Sequence, residues 1–450
     1  MSTAHVDRNE AAKMLAGSKE LRQRILFVLM ALVVYRLGTH IPLPGIDAVA
    51  LASYQDRLQQ GVLGMFNLFS GGAFSRMTIF ALNIMPYITA SIIIQLLSST
   101  YSTLKDLKKE GEAGRRKINQ YTRYLTVVLA FSQGFGLATS MEGATVQVGS
   151  ETLQVVLDAG LMFRLQSALT LMTGTIFLMW LGEQINSRGI GNGISILIFA
   201  GIVAELPSAL FQTFEMARTG SMSNFLLLGI GIMVFAVIAF ITFMETAQRR
   251  VLVQYPKRQM AGGQSGGEAS HMPLKINMAG VIPPIFASSL LLVPASIANF
   301  SPNAEWAQLI GGLFSPGKPL YTGLYVALIV FFCFFYTALQ FNPDETADNL
   351  KSNGGFIPGV RPGKSTSKYF DYVMTRLTVV GAAYISLVCI LPELVNSQFS
   401  VPFYFGGTSL LIVVSVTMDL VTRIQTHLIA QKYESLLKKT QFKRKKRVRA

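Results

Sequence analysis

The sequence predicts an all-α membrane protein with ten transmembrane helices in two five-helix halves. Three observations predict it. Of the 450 residues 51% are apolar, only 14% are charged, and mean hydropathy is +0.43; a soluble chain keeps about 25% charged residues to cover its surface. The apolar residues gather into ten long runs, most of them approaching the ~20 residues that cross ~30 Å of hydrocarbon. Lysine and arginine fall almost wholly on alternate connections between those runs, the asymmetry that orients a membrane protein. Period-two alternation of the barrel kind is absent, and a helix satisfies every backbone group within its own segment.

The first run, residues 25–39, follows Arg22 and Arg24 and has the look of a signal peptide. No small-x-small cleavage site follows, and the chain continues through Arg36 into Ile41-Pro42-Leu43-Pro44-Gly45, so a retained span is expected. The remaining spans of the first half are 78–97, 125–140, 161–181 and the short 193–206. A polar stretch at 212–224 divides the chain. The second half holds spans 225–244, 278–298, 320–341, 373–391 and 403–421. The expected organisation is therefore a cytoplasmic tail (1–22), a first half (23–211), a second half (212–430) with long loops at about 245–275 and 342–370, and a basic tail (431–450).

Orientation follows from charge. With the N-terminus in the cytoplasm, all of the 39 Lys and Arg but six (Arg36, Arg57, Arg76, Arg164, Arg218 and Lys318) fall on the cytoplasmic side. The even span count then puts the C-terminus there too. Five spans per half is an odd number, so a repeat relating the halves must be inverted across the membrane. The second span of each half contains proline, Pro86 in one and Pro283-Pro284 in the other. Matched interruptions of this kind point to a pathway at the interface between repeats.

Enzyme chemistry is poorly supplied. The four histidines (His5, His40, His271, His427) are scattered, without a His-Glu-x-x-His pair. The single Gly-x-Ser-x-Gly match, Gly263-Gln264-Ser265-Gly266-Gly267, falls in a glycine-rich loop tip between spans and not on the strand-to-helix turn that a nucleophile elbow needs. The run Gly359-Val360-Arg361-Pro362-Gly363-Lys364-Ser365 is one residue short of a phosphate loop and follows no strand. Cys333 and Cys389 both lie in apolar runs, so neither a disulfide framework nor a thiolate metal site is expected. A small-substrate secondary transporter is the alternative from another class, yet the span centres carry no carboxylate, histidine or basic residue. Arg36, Glu183, Glu205, Glu245 and Asp419 all stand near span ends, where an ion relay has little to run on.

The ordered blocks then match a known pattern. Asn67-Leu68-Phe69-Ser70-Gly71-Gly72-Ala73-Phe74-Ser75-Arg76 is followed by Ile79-Phe80-Ala81-Leu82-Asn83-Ile84-Met85-Pro86-Tyr87-Ile88. Later come Trp180-Leu181-Gly182-Glu183-Gln184-Ile185, Arg188-Gly189-Ile190-Gly191-Asn192-Gly193-Ile194-Ser195, Phe341-Asn342-Pro343, and Pro402-Phe403-Tyr404-Phe405-Gly406-Gly407-Thr408-Ser409. Nearly end to end, the chain resembles the bacterial SecY family of protein-translocation channels. Two departures stand out: Asn83 occupies a position where the family leads one to expect glycine, and the loop tip 261–267 lacks the arginines of some relatives.

The resemblance implies a central pore between the halves that passes unfolded preproteins with signal sequences outward and opens sideways to release apolar segments into lipid. It implies SecE and SecG as small helical subunits, SecA as motor, the ribosome as a docking partner, no cofactor, and a place in the bacterial inner membrane. Carried over by motif, the pore ring falls on Ile84, Ile88, Ile190, Ile194, Ile285 and Ile412. Residues 64–76, too short and glycine-rich to span, resemble the plug, with Asn67, Phe69, Ser70, Gly71, Gly72 and Arg76 as its candidate residues. Gly71-Gly72 would give that segment freedom to leave and return. The lateral gate falls on Pro86, Ser91, Pro283 and Ser288. Partner docking falls on Arg249, Arg250, Lys257 and Arg258 in one loop and Arg361 and Lys364 in the other. The tail run 443–449 would attract anionic lipid at ~1 kcal/mol per charge.

Overall fold

Helices dominate the computed structural model, which describes residues 19–47, 50–53, 67, 69–148, 151–220, 223–255, 269–299, 318–399 and 407–448. The helices are α1 (Lys19–Gly38), α2 (Met85–Thr100), α3 (Ser102–Lys109), α4 (Glu112–Glu142), α5 (Leu161–Arg188) and α6 (Gly193–Arg218), then α7 (Asn224–Thr246), α8 (Ile282–Asn299), α9 (Pro319–Gln340), α10 (Pro343–Ser352), α11 (Lys364–Phe399) and α12 (Gly407–Val448). Each of the ten expected spans meets a helix. Among the described residues, seven helices are long and apolar enough to cross a membrane. Outside that set, α1 carries Lys19, Glu20, Arg22, Arg24 and Arg36, and α2 and α8 have only 16 and 18 residues.

Several boundaries differ from expectation, each for a local reason. The second span was expected from residue 78, but 71–84 is a series of turns and the helix starts at Met85. Met77 and Asn83 sit at φ +44 and +48, a left-handed conformation that cannot propagate a helix. The matched prolines therefore interrupt neither helix, and the internal proline of α8 is Pro294. Pro86 lies in the first turn of α2, and Pro283 and Pro284 lie in the first turn of α8, where a missing N–H is tolerated. The fifth span was expected to end at residue 206, but α6 runs to Arg218 through Pro207. Two short hairpins also escaped hydropathy: β1 (Thr145–Val148) with β2 (Glu151–Gln154), and β3 (Gln248–Gln254) with β4 (Ala269–Lys275), both antiparallel.

The chain forms two compact units, Met1–Leu206 with Val416–Ala450, and Pro207–Ser415. In the first, small residues bring backbones together, as they do in membrane bundles. A Cβ on Gly134 of α4 would stand 3.2 Å from the Ala168 Cα of α5, and one on Gly182 would stand 3.3 Å from Ile194 Cγ1. Gly174 lies directly against the Ile79 carbonyl. Glu142 closes the β1–β2 crossing, accepting from Arg164 Nε at 2.7 Å and from the Gly160 amide at 2.9 Å. In the second unit, Phe286 of α8 packs edge-on to Phe332 and Tyr336 of α9. The Tyr325 hydroxyl of α9 lies 3.0 Å from that of Thr408 at the start of α12.

Candidate functional site

The expected plug is held inside the first unit by its own main chain. Asn67 Oδ1 accepts from the Ser75 amide at 2.9 Å, Ser70 Oγ donates to Asn67 O and accepts from the Phe74 amide, and Ser75 Oγ donates to Gly72 O. Phe69, Ser70, Gly71, Gly72, Ala73 and Phe74 are all buried; residues 64–66 and Leu68 lie outside the described residues. Three successive carbonyls of this segment then meet side chains. Asn83 Nδ2 donates to Phe69 O, the Tyr35 hydroxyl donates to Ser70 O at 3.3 Å, and Gly71 O accepts from both Arg36 Nη1 and Arg76 Nη2, each at 2.9 Å. Arg76 Nε also donates to Thr39 O at 3.3 Å. Carbonyls at the end of a helical turn have no partner within it, and cations there are favourably placed.

Both glycines are structural necessities in this packing. Gly71 and Gly72 have φ of +64 and +77, and a Cβ on Gly71 would stand 3.0 Å from the Gly201 Cα of α6. A Cβ on Gly72 would collide with Glu205 Oε1 and Arg76 Nη1. The departure at Asn83 has its explanation here. The position is left-handed, which glycine and asparagine adopt most readily, and asparagine adds a donor that glycine lacks.

The isoleucines divide between the units. Ile84 is the N-cap of α2 and Ile88 its fourth residue; the Ile88 amide donates to Ile84 O at 3.0 Å, and both are buried. Ile190 precedes α6, so despite the i, i+4 spacing it does not share a helix face with Ile194. The cause is Asn192, which caps α6: its carbonyl accepts from the Ile196 amide and its Oδ1 from the Ile194 amide. Ile190 packs instead against Leu21 of α1 and Leu428 of α12. Ile285 and Ile412 are buried in the second unit. Of the gate candidates, half-buried Ser91 on α2 accepts from Gln95 Nε2 at 3.1 Å. Ser288 on α8 is buried and donates to Ile285 O at 2.9 Å.

The described candidate docking residues share one platform in the second unit. Arg249 and Arg250 are exposed on β3, opposite Leu274 and Pro273 of β4. Gln254 at the end of β3 exchanges both backbone hydrogen bonds with Phe356, each at 2.9 Å. Beneath, Val251, Leu274, Ile357, Phe370, Val373 and Met374 form a common core. Exposed Arg361 and Lys364 stand above it, on the turn between Gly359 and Gly363 and at the start of α11. Two loops distant in sequence thus share one core and one surface; Lys257 and Arg258 lie outside the described residues.

The SecY family model matches residues 78–421. The chain belongs to the SecY family. It is 54% identical over 428 residues to a protein of Rickettsia felis described as "Protein translocase subunit SecY", covering 95% of this chain and 98% of that protein. Two solved structures share the fold. One, described as "The plug domain of the SecY protein stablizes the closed state of the translocation channel and maintains a membrane seal", aligns with TM-score 0.63 at 16% identity, covering 90% of this chain and 92% of that one. The other, "Sec61 in the Canine ribosome-channel complex from the endoplasmic reticulum", aligns with TM-score 0.60 at 17% identity and the same coverage. The chain is accordingly a multi-pass, all-α membrane protein with the fold of SecY and Sec61 channels.

Some residues of the site were not singled out by sequence reasoning. Tyr35, Arg36 and Asn83 complete the plug contacts, and the available signals were partial: Arg36 is one of the few basic residues on the side poor in them, and Asn83 replaces the expected glycine. Tyr35 gave no signal, being an aromatic residue in an apolar run.

Proposed function

We propose that this chain is the pore-forming subunit of a general protein translocase, conducting unfolded preproteins across the membrane and releasing transmembrane segments sideways into lipid. It is a channel and not an enzyme. The observation that carries this conclusion is the near full-length relationship, at 54% identity, to Protein translocase subunit SecY. Ile84, Ile88, Ile190, Ile194, Ile285 and Ile412 form the constriction in this proposal, a dry aliphatic collar that seals by dewetting. Residues 64–76 are the plug, and α2 and α8 line the lateral gate.

The basic platform of Arg249, Arg250, Arg361 and Lys364 docks the SecA motor and the ribosome, and RNA contacts there would be phosphate-directed and salt-sensitive. SecE and SecG complete the complex, and anionic lipid meets the basic tail. The bilayer is the bacterial inner membrane with both termini cytoplasmic, supported by the Lys and Arg distribution. A stalled secretory polypeptide carrying a photo-crosslinker tests the central claim. Crosslinks to positions 84, 88 and 285 are expected; crosslinks confined to other faces of α2 and α8 would refute it.

A further inference from the structure

A second buried polar cluster, remote in sequence from the plug contacts, lies wholly in the second unit. Glu245 at the end of α7 accepts two hydrogen bonds on one oxygen, from Asn277 Nδ2 and from the Tyr384 hydroxyl, both at 2.7 Å. Asn277 and Tyr384 are buried. Asn277 also closes the turn before α8, its Oδ1 accepting from the Gly280 amide at 3.0 Å and its Nδ2 donating to Gly280 O at 3.1 Å. Gly280 sits at φ +64. The turn is further tied by the Ile276 amide to Ala247 O at 3.2 Å, and it rests on α11, where a Cβ on Gly381 would stand 3.1 Å from the Ile276 carbonyl. Among the described residues no Lys or Arg forms an ion pair with Glu245.

We propose that Glu245 is a positioning residue of the channel: with Asn277 and Tyr384 it clamps the turn that feeds α8, and so fixes where the first turn of that helix places Ile285. This rests on Ile285 lining the pore. A carboxylate serves here because hydrogen bonds to an ionised acceptor are roughly twice as strong as neutral ones, and one oxygen joins three separate stretches of chain. Pro283 and Pro284 supply no amide hydrogens with which the first turn of α8 could bond to chain outside the helix, so its position depends on the turn before it. Loss of the clamp leaves α8 intact and frees its entry.

The test is labelling of an Ile285→Cys variant by a membrane-impermeant maleimide, in the full-length chain in native membranes, against the unmodified chain as background. Added to that variant, Glu245→Ala and Tyr384→Phe should each raise the labelling rate about tenfold, which corresponds to 1.4 kcal/mol. Glu245→Gln keeps an acceptor oxygen and should stay within about twofold of the Ile285→Cys parent, a rescue that loss of packing alone would not produce. Tyr384→Phe removes one hydroxyl and keeps the ring, so it decides the matter if Glu245→Ala fails to accumulate. Parental rates in Tyr384→Phe would overturn the clamp. The pore assignment has its own readout: a preprotein arrested in transit should protect the introduced thiol at position 285 from the maleimide. Protection with no effect of the clamp variants refutes the clamp alone; absence of protection refutes the pore assignment.

Discussion

Gly71 offers one carbonyl to two guanidinium groups, and that sharing predicts a specific non-additivity. Arg36 and Arg76 each donate to it at 2.9 Å. A hydrogen bond to a charged group contributes about 1.5–3 kcal/mol net. Replacing either arginine by methionine, which keeps much of the apolar stem, leaves the carbonyl still bonded to the other and relieves the repulsion between two like charges. Each single replacement should therefore cost only about 1 kcal/mol, below the usual range. The double replacement orphans a buried carbonyl, which costs about 1–3 kcal/mol more, so a coupling of about 1.4 kcal/mol is expected, within the range for residues sharing a partner. The assay is maleimide labelling of Ala73→Cys, at a position fully buried in the closed segment. Each single variant should label about five times faster than the parent, and the double about tenfold faster than the product of the singles. Glu205 stands beside Arg76, so Glu205→Gln in the double variant separates the carbonyl's contribution from that of a stranded carboxylate. A double variant equal to the product of the singles would refute the shared-acceptor explanation.

Other outcomes follow from the local contacts and from the proposed function. At Asn83, glycine should lose only the bond to Phe69 O, about 1 kcal/mol, whereas alanine should add about 1–2 kcal/mol of left-handed strain; equal labelling of Ala73→Cys in the two would remove the backbone explanation. Ile84→Ser should raise resting ion conductance in planar bilayers by wetting the collar, and a variant as tight as the parent would count against the ring. Ile190→Ser should also lower thermal stability, since its side chain packs against Leu21 and Leu428 and deleting a buried aliphatic side chain costs about 2–5 kcal/mol. Arg361→Glu should impair preprotein translocation severalfold at near-normal membrane abundance; if the protein vanishes instead, Arg361 is structural. On the proposed lateral gate, a Ser91→Cys, Ser288→Cys pair should crosslink at rest, stop secretion, and release it on reduction; full secretion through the locked channel would sink the gate.

Each span that hydropathy located meets a helix, because burial in lipid demands an apolar run wherever a helix crosses; the short polar helices α3 and α10 left no such run. Hydropathy could not distinguish an apolar helix from an apolar series of turns. Ile79, Phe80, Ala81 and Leu82 read as the start of a span, yet they lie in irregular chain, Ile79 half-buried and the other three buried, whose left-handed turns at Met77 and Asn83 depend on surrounding packing. The same blindness made Pro86, Pro283 and Pro284 look like breaks in helices that they in fact begin. The polar contacts were less legible still. Arg36 and Arg76 were conspicuous as stray cations, but their shared acceptor is a main-chain carbonyl, which no side-chain pattern records. Glu245, Asn277 and Tyr384 meet across 139 positions of sequence, and nothing local ties them together.

The prolines that open α2 and α8 bear on how a helix can begin away from water. Four amides at the head of any helix look outward without a carbonyl to receive them, and in a medium without water each unsatisfied group costs several kcal/mol. At α2 the Met85 amide donates to Leu82 O, the Ile88 amide donates to Ile84 O, and Pro86 has no hydrogen to place. The Ile88 bond is the first regular one of the helix, so of the four leading amides (Ile84, Met85, Pro86, Tyr87) those of Met85 and Pro86 present no bare donor. At α8 two adjacent prolines remove two such donors outright. An imino acid in the opening turn lets a helix start at depth with little polarity showing. Pro86→Ala would thus harm this protein by adding a hydrogen, even though alanine is the better helix former.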